Sequence, residues 1–254
     1  MKLDVFFTPG EVAGRAGMGR FVVVDVIRAT SSMVAALDSG ARSVFPVASV
    51  DDAARLAQNL GRDGVLLCGE RKGLPIDGFD LGNSPGEFAA ERVTGKALVM
   101  TTTNGTRALL AVSELPLPKN MPASGEAPAP RRILIGSFLN LDAVAATLAT
   151  SDEPVSIVCA GKENRFARED AVFAGALANR LLERADDVLE RNDAAVAAMA
   201  MATRFGGSLL PLLRRTAAGQ AIIEIGLEGD LDFCADVDRF DVVPEFEDRK
   251  ITLP

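Results

Sequence analysis

Short apolar runs alternate along the chain with segments whose apolar residues recur at helical spacing. The runs are rich in valine, isoleucine and leucine and predict strands at 3–7, 21–25, 43–47, 65–68, 97–101, 133–136 and 155–160. Because these runs are apolar on nearly every residue, helices are expected to cover both faces of the sheet. The pattern predicts a three-layer α/β/α fold with a mainly parallel, mixed sheet.

Helical spacing predicts helices at 32–39, 50–60, 106–113, 141–150 and 168–185, and a mostly helical region at 186–235. Ser84, Pro85 and Glu87 match a capping box and predict a helix to about residue 92. Near the end of the sequence, 242–243 is expected to add a late strand and 245–249 to be a solvated charge run.

The chain of 254 residues is long enough for one large core or for two lobes sharing a sheet. We expect a single α/β domain at 1–254. Two similar lobes, about 1–110 and 131–254, joined by a proline-rich loop at 114–131, are the alternative organisation. No sequence repeat decides between them.

Charge and composition exclude several classes of protein. The 35 acidic residues exceed the 27 basic ones and give a net charge of −8, which disfavours nucleic-acid binding. The chain has no histidine, which excludes Ser-His-Asp catalysis and histidine-ligated zinc. Three isolated cysteines, no signal-peptide pattern and no 18-residue apolar run predict a cytoplasmic protein without a membrane span.

Polar residues with chemical potential follow several predicted strands, where ligands bind in parallel sheets. Asp25 ends one strand and Arg28 follows it. The carboxylate suits a cation and the guanidinium suits an anion. The alternative is that the two side chains form a buried ion pair with each other. Glu70, Arg71 and Asp80 follow another strand in a glycine-rich loop. That loop is either part of the site or a structural loop tied by its own salt bridges.

Two further strand ends add hydroxyl, amide and carboxylate groups. Thr102, Thr103 and Asn104 lie in a turn that suits phosphate or that simply caps the next helix. Glu169 and Asp170 begin a long helix, either as partners of its dipole or as a metal-ligand and acid/base pair.

Cys159 and Arg165 match the Cys-x5-Arg spacing of cysteine-dependent phosphatases. Glu163 would place a negative charge inside such a phosphate loop, and no hydroxyl follows Arg165 to assist the thiolate. A chance match is therefore the favoured interpretation.

Taken in order, these motifs resemble the 2-phosphosulfolactate phosphatase family over roughly residues 2–245. They are Asp25-Val-Ile-Arg28-Ala-Thr, Gly69-Glu70-Arg71, Gly78-Phe-Asp80-Leu-Gly-Asn-Ser-Pro85, Thr101-Thr-Thr-Asn104-Gly-Thr106, Gly136-Ser-Phe-Leu-Asn140, Cys159-Ala-Gly161 and Glu169-Asp170. The resemblance implies an α/β/α fold, Mg²⁺ dependence, a phosphorylated sulfonated lactate as substrate and an association with coenzyme M biosynthesis.

With this resemblance, the expected mechanism is magnesium-dependent hydrolysis of a phosphate monoester. Asp25, Glu70 and Asp80 are expected to hold Mg²⁺, and Asp170 or Glu169 to orient water or protonate the leaving oxygen. Substrate contacts are expected from a separate set of residues: Arg28, Arg71, Thr102, Thr103 and Asn104.

Three questions stay open at this stage. The substrate is 2-phosphosulfolactate or a related phosphorylated hydroxy acid, because arginines bind sulfonate and carboxylate alike. A metal-independent cysteine phosphatase using Cys159 and a non-catalytic phospho-acid binding module are the competing functions. The Ala/Met-rich helices near 188–205 are explained equally by a homo-oligomer interface and by core packing.

Overall fold

The computed structural model describes residues 1–13, 17–61, 64–116, 131–184 and 190–254. Within these ranges, eleven strands form one mixed sheet. The strands are β1 (Lys2–Phe6), β2 (Arg20–Val24), β3 (Ser43–Pro46), β4 (Val65–Arg71), β5 (Leu74–Pro75), β6 (Ala97–Thr101), β7 (Arg132–Gly136), β8 (Val155–Cys159), β9 (Glu190–Arg191), β10 (Glu245–Glu247) and β11 (Lys250–Thr252).

Helices cover the sheet on both faces and connect most of its strands. They are α1 (Ala29–Asp38), α2 (Val50–Leu60), α3 (Ala90–Val93), α4 (Gly105–Ser113), α5 (Leu141–Leu148), α6 (Arg168–Arg184), α7 (Asp193–Phe205), α8 (Leu209–Leu213), α9 (Ala217–Glu224) and α10 (Gly229–Cys234). Short 3-10 turns occur at Pro9–Val12, Pro85–Glu87, Phe138–Asn140 and Gly206–Ser208. The three-layer α/β/α prediction is confirmed.

The sheet consists of two parallel blocks joined by an antiparallel hairpin. Its strand order is β5-β4-β6-β3-β11-β10-β7-β2-β8-β1-β9. Strands β3, β6 and β4 are mutually parallel, as are β7, β2, β8 and β1. Three successive antiparallel pairings, β3 with β11, β11 with β10 and β10 with β7, separate the blocks. The two blocks therefore run in opposite directions.

The joining hairpin lies where the sequence indicated a charge run. In β10 and β11 the charged residues alternate with Phe246 and Ile251, which are 7% and 0% exposed. This alternation is the period of a strand with one buried face. The charged residues at 247–249 are exposed, as expected of a solvated run, but the segment also begins with a paired strand, which the sequence did not indicate. The expected late strand at 242–243 was wrong, because pairing begins two residues later, at Glu245.

Helices α1 and α4 pack on one face of the sheet, over the junction of its two blocks. Nine of the ten residues of α1 are buried, and α1 contacts both β3 and β7. Side chains of β2, β3, β6 and β7 share one apolar core with these two helices. A second core lies under α5, α6 and α7. The central position of α1 and α4 brings their first turns together.

Two further expectations can be compared with the structure, and most of a third lies outside the described residues. Ser84 makes no capping bond, and 3-10 turn Pro85–Glu87 and α3 replace the single helix expected there. Most of the proline-rich segment at 114–131 lies outside the described residues. The proposed lobe boundary does not separate the blocks, because β1 and β2 lie beside β7 and β8.

One stretch, Asp193–Glu224, is long and apolar enough to cross a membrane by length and composition. In the structure it is divided into α7, α8 and α9, of 13, 5 and 8 residues. A membrane-spanning helix needs about 20 consecutive residues, so none of these three helices reaches that length.

The hairpin that joins the blocks is expected to carry a large share of the stability. Ile251→Ala should lower the free energy of unfolding by about 2–5 kcal/mol, because it leaves a cavity beside β3. Leu253→Ala, at a residue that is 38% exposed, is the matched control and should cost well under half of that. Urea unfolding followed by circular dichroism measures both, and equal losses would contradict this role of the hairpin.

Candidate active site

Loops from both blocks of the sheet enclose a pocket of about 250 Å³. They follow β2, β4, β6 and β8, and helix α9 supplies an apolar wall. The lining residues are Asp25, Ile27, Arg28, Glu70, Lys72, Gly73, Asn83, Thr102, Thr103, Asn104, Gly161, Lys162, Glu163, Glu169, Asp170, Ala218, Ala221 and Ile222. Five of these side chains are carboxylates and three are cationic.

Asp25 lies at the floor of the pocket, just after β2, and is 6% exposed. Its carboxylate accepts hydrogen bonds from the backbone N–H groups of Ala29 and Gly105, the first residues of α1 and α4. A Cβ atom on Gly105 would lie 2.5 Å from Cβ of Ala29, so the approach of the two helix ends requires glycine there. Burial, and then the charges of Glu70 and Glu169, raise the pKa of Asp25 to about 8.

Asp170 and Glu169 enter the pocket from the start of α6. Both oxygens of Asp170 are held by backbone donors, the N–H groups of Val26 at 2.9 Å and Gly161 at 3.0 Å. Burial, together with the charges of Asp25 and Glu169, raises the pKa of Asp170. Burial also raises the pKa of Glu169, which is hydrogen-bonded to the side chain of Thr216.

Glu70 ties two loops of the other block together at the pocket edge. Its oxygens accept hydrogen bonds from the N–H groups of Gly73 and Thr103, each at 2.8 Å. The preceding Gly69 has φ +148°, and a Cβ atom there would lie 2.1 Å from the carbonyl oxygen of Thr101. This close approach of β4 to β6 holds Glu70 beside the threonine turn.

Arg28 lines the pocket, but its guanidinium is engaged by the protein. Nη1 donates to Asp230 at 2.6 Å and to Ser84 at 3.1 Å, and Nη2 donates to the carbonyl oxygen of Gly73 at 2.5 Å. The side chain is 2% exposed. The Asp25–Arg28 ion pair that the sequence allowed is not formed, because Arg28 pairs with Asp230 instead.

The threonine turn lines the pocket as expected, but two of its backbone donors are already used. The Thr102 N–H donates to Oγ1 of Thr106, and the Thr103 N–H donates to Glu70. The Asn104 side-chain oxygen accepts a hydrogen bond from the N–H of Glu163. The turn is therefore braced by the protein, and any substrate contact falls mainly to side chains.

Two expected site residues do not line this pocket. Asp80 is exposed, and its carboxylate accepts a hydrogen bond from the N–H of Leu67. Arg71 points to a neighbouring cavity, where Nη2 donates to Oγ1 of Thr101. These placements are at odds with a metal-binding role for Asp80 and with a substrate contact from Arg71 in this pocket.

Cys159 lies at the end of β8 and is 1% exposed. Burial, and the charges of Asp170, Glu11 and Glu169, raise the pKa of its thiol well above the ordinary value. Neither Cys159 nor Arg165 lines the pocket. A thiol that stays protonated in the core lacks the thiolate needed for attack on phosphorus.

Sequence reasoning missed two lysines and one wall of the pocket. Lys72 and Lys162 line the pocket, and Nζ of Lys162 donates to the carbonyl oxygen of Ala217 at the start of α9. Lys162 follows β8 by three residues, so the strand-end rule was a usable signal for it. The contribution of α9 had no such signal, because that helix follows no strand directly.

The donor chemistry of the pocket fits a hard divalent cation. Asp25, Glu70, Glu169 and Asp170 are each at most 7% exposed, and a cation among them relieves their mutual repulsion. In the part of the chain that the structure describes, no three such side chains form a ready-made metal cluster. Mg²⁺ suits this arrangement, since it takes one or two carboxylates and completes its shell with water and substrate phosphate.

Comparison with known proteins identifies the family of the chain. The family model for 2-phosphosulpholactate phosphatase matches residues 6–249. The chain belongs to the 2-phosphosulfolactate phosphatase family. It is accordingly a phosphoric monoester hydrolase, and the resemblance inferred from the motifs is confirmed.

Curated relatives with the name of this family align with the chain over most of their length. A "Probable 2-phosphosulfolactate phosphatase" of Clostridium beijerinckii is 35% identical over 99% of both chains. One from Caldanaerobacter subterraneus subsp. tengcongensis is 38% identical over 89% of this chain and 87% of its own. One from Parasynechococcus marenigrum is 38% identical over 96% of both.

The raised pKa of Asp25 predicts an unusual dependence of stability on pH. An unfolded aspartate ionises near pH 4, whereas folded Asp25 ionises near pH 8, so rising pH between these values favours unfolding. In EDTA the melting temperature should therefore fall between pH 6 and pH 8, by roughly 5 °C or more. Millimolar Mg²⁺ should restore it at pH 8.

Differential scanning calorimetry measures this effect, with K⁺ at matched ionic strength as the control. Ion pairs formed by ordinary carboxylates do not change charge in this pH range, so they do not obscure the result. A melting temperature that rises from pH 6 to pH 8 in EDTA would contradict the buried-carboxylate description.

Proposed function

We propose that the protein is a Mg²⁺-dependent phosphatase that hydrolyses 2-phosphosulfolactate, or a related phosphorylated hydroxy acid, to sulfolactate and phosphate. The observation that carries the proposal is the pocket itself, in which four buried carboxylates lie with two lysines. The family model and the printed names of the relatives support the substrate.

Asp25 and Asp170 are the side chains proposed to bind the cation directly, with Glu70 reaching it through a bound water. Each has its oxygens positioned by backbone N–H groups, so these carboxylates are fixed before any ligand arrives. Each carboxylate oxygen has a second lone pair for a cation. When bound, Mg²⁺ neutralises charge on the phosphate oxygens and aligns the attacking water.

The anionic substrate is proposed to be held by the two lysines. Arg28 adds little net charge, because Asp230 neutralises it. Lys72 and Lys162 are the remaining cations of the pocket, and they suit the carboxylate and sulfonate groups of the substrate. The side-chain amide of Asn104 offers a neutral donor on the same surface.

Glu169 is proposed to give a proton to the leaving oxygen of the hydroxy acid. It lines the pocket beside Asp170, and Thr216 holds it through a side-chain hydrogen bond. The chain has no histidine, so a carboxyl group is the natural proton carrier here. The Glu169 carboxylate formed in this way takes the proton that the attacking water gives up as its oxygen bonds to phosphorus, so Glu169 is protonated again for the next turnover.

The competing functions fit the structure less well. A cysteine phosphatase requires an accessible thiolate, and Cys159 is a buried thiol outside the pocket. A module that only binds phospho-acids gains nothing from five carboxylates in its pocket, because they repel an anionic ligand.

Substitution of Asp25 tests the metal-dependent mechanism. Asp25→Asn should lower kcat by about a hundredfold or more, because it removes a charge that holds Mg²⁺. Asp80→Asn is the matched control and should keep most activity, since Asp80 lies outside the pocket. Phosphate release from 2-phosphosulfolactate and phospholactate, with Mg²⁺ or EDTA, measures both. Equal activity of Asp25→Asn and wild type would refute the mechanism.

The thiol-dependent alternative predicts a different response. Cys159→Ala should retain most of the Mg²⁺-dependent activity, and iodoacetamide should not inhibit the folded protein, because the thiol is buried and protonated. Calorimetry of the variant separates loss of activity from loss of stability. Activity in EDTA that iodoacetamide abolishes would instead favour Cys159 as the nucleophile.

A further inference from the structure

A second cavity, of about 480 Å³, lies directly beside the candidate active site. Thr102 and Thr103 line both cavities and form the wall between them. The end of β4 contributes Arg71 to the second cavity, α4 contributes Arg107, and Glu114 directly follows that helix. Nothing in the proposed mechanism uses this space.

Arg71 is held in place by acceptors that carry no charge. Nη1 donates to the carbonyl oxygen of Glu70 at 2.7 Å, and Nη2 donates to Oγ1 of Thr101 at 3.0 Å. These bonds orient the guanidinium without neutralising it. Its positive charge is therefore preserved at the cavity surface.

Arg107 is arranged in the same way on the first turn of α4. Its Nη1 donates to the side-chain oxygen of Asn164 at 2.6 Å, again a neutral partner. Among the residues that the structure describes, neither Arg71 nor Arg107 forms an ion pair, although the chain has 35 acidic and only 27 basic residues. Two oriented and unneutralised guanidinium groups thus line one cavity.

We propose that this cavity is a second anion-binding site, separate from the active site, for a tetrahedral oxyanion such as inorganic phosphate. Guanidinium groups match the geometry of phosphate oxygens and keep their charge at any physiological pH. The hydroxyl of Thr103 adds a neutral donor on the shared wall. Glu114 is the acidic side chain of the lining and weakens the site.

The position of the site suggests a consequence for turnover. This consequence rests on the proposed function, but the binding of phosphate does not depend on it. Arg71 is bonded to the backbone of Glu70, and the side chain of Glu70 lines the active site. Phosphate at Arg71 and Arg107 would therefore be held close to the place where phosphate is released. Inhibition by phosphate should include a component that substrate does not overcome.

Equilibrium dialysis with radiolabelled inorganic phosphate in EDTA tests the site without turnover. One saturable site per chain is expected. Arg107→Ala should weaken binding roughly tenfold, because it removes a charge-assisted hydrogen bond. Arg92→Ala, an exposed arginine outside the cavity, should leave binding unchanged. Glu114→Gln should strengthen binding, which loss of folding cannot imitate.

Two results would overturn the proposal. One is the absence of saturable phosphate binding in EDTA. The other is binding that Lys162→Ala abolishes and Arg107→Ala leaves unchanged, which would place the phosphate in the active-site pocket. Because no metal or turnover is required, failure here is distinct from failure of the proposed phosphatase activity.

Discussion

The rest of the site depends on the cost of burying several carboxylates next to one another. A buried charge requires hydrogen bonds or a counter-charge, and here backbone N–H groups supply the hydrogen bonds. Each of the three best-anchored acids accepts them from two segments of the chain, so each one also ties two loops together. These acids are Asp25, with Ala29 and Gly105; Asp170, with Val26 and Gly161; and Glu70, with Gly73 and Thr103. The hydrogen bonds that make burial tolerable also set the shape of the pocket.

Local pattern was sufficient to predict seven of the eleven described strands, because strand and helix periodicity are properties of neighbouring residues. Most strands and helices lie within a few residues of their expected bounds, as with the helix at 50–60, observed at Val50–Leu60. The pairing of β7 with β10 and of β3 with β11 could not be predicted in this way. It joins segments far apart in sequence, and the short hairpin resembles a run of charges when read alone.

For the site, the rule that ligands bind at strand ends identified the carboxylates but not the direction of every side chain. Asp25, Glu70 and Asp170 come together even though they belong to blocks of opposite direction, because α1 and α4 begin beside one another. Asp80 follows the same strand as Glu70 yet bonds back to Leu67 at the surface. Arg28 was expected to be available to an anion, whereas Asp230, about 200 positions later in the chain, neutralises it. Such partners are visible only in three dimensions.

The strands that unite the two blocks are also among the last described segments in chain order. During synthesis on a ribosome, β3 and β7 emerge well before Lys250–Thr252, and until then each has an unpaired edge. An exposed strand edge invites pairing with other chains. The nascent protein must therefore keep these two sheet edges from pairing with other chains until the β10–β11 hairpin has been made.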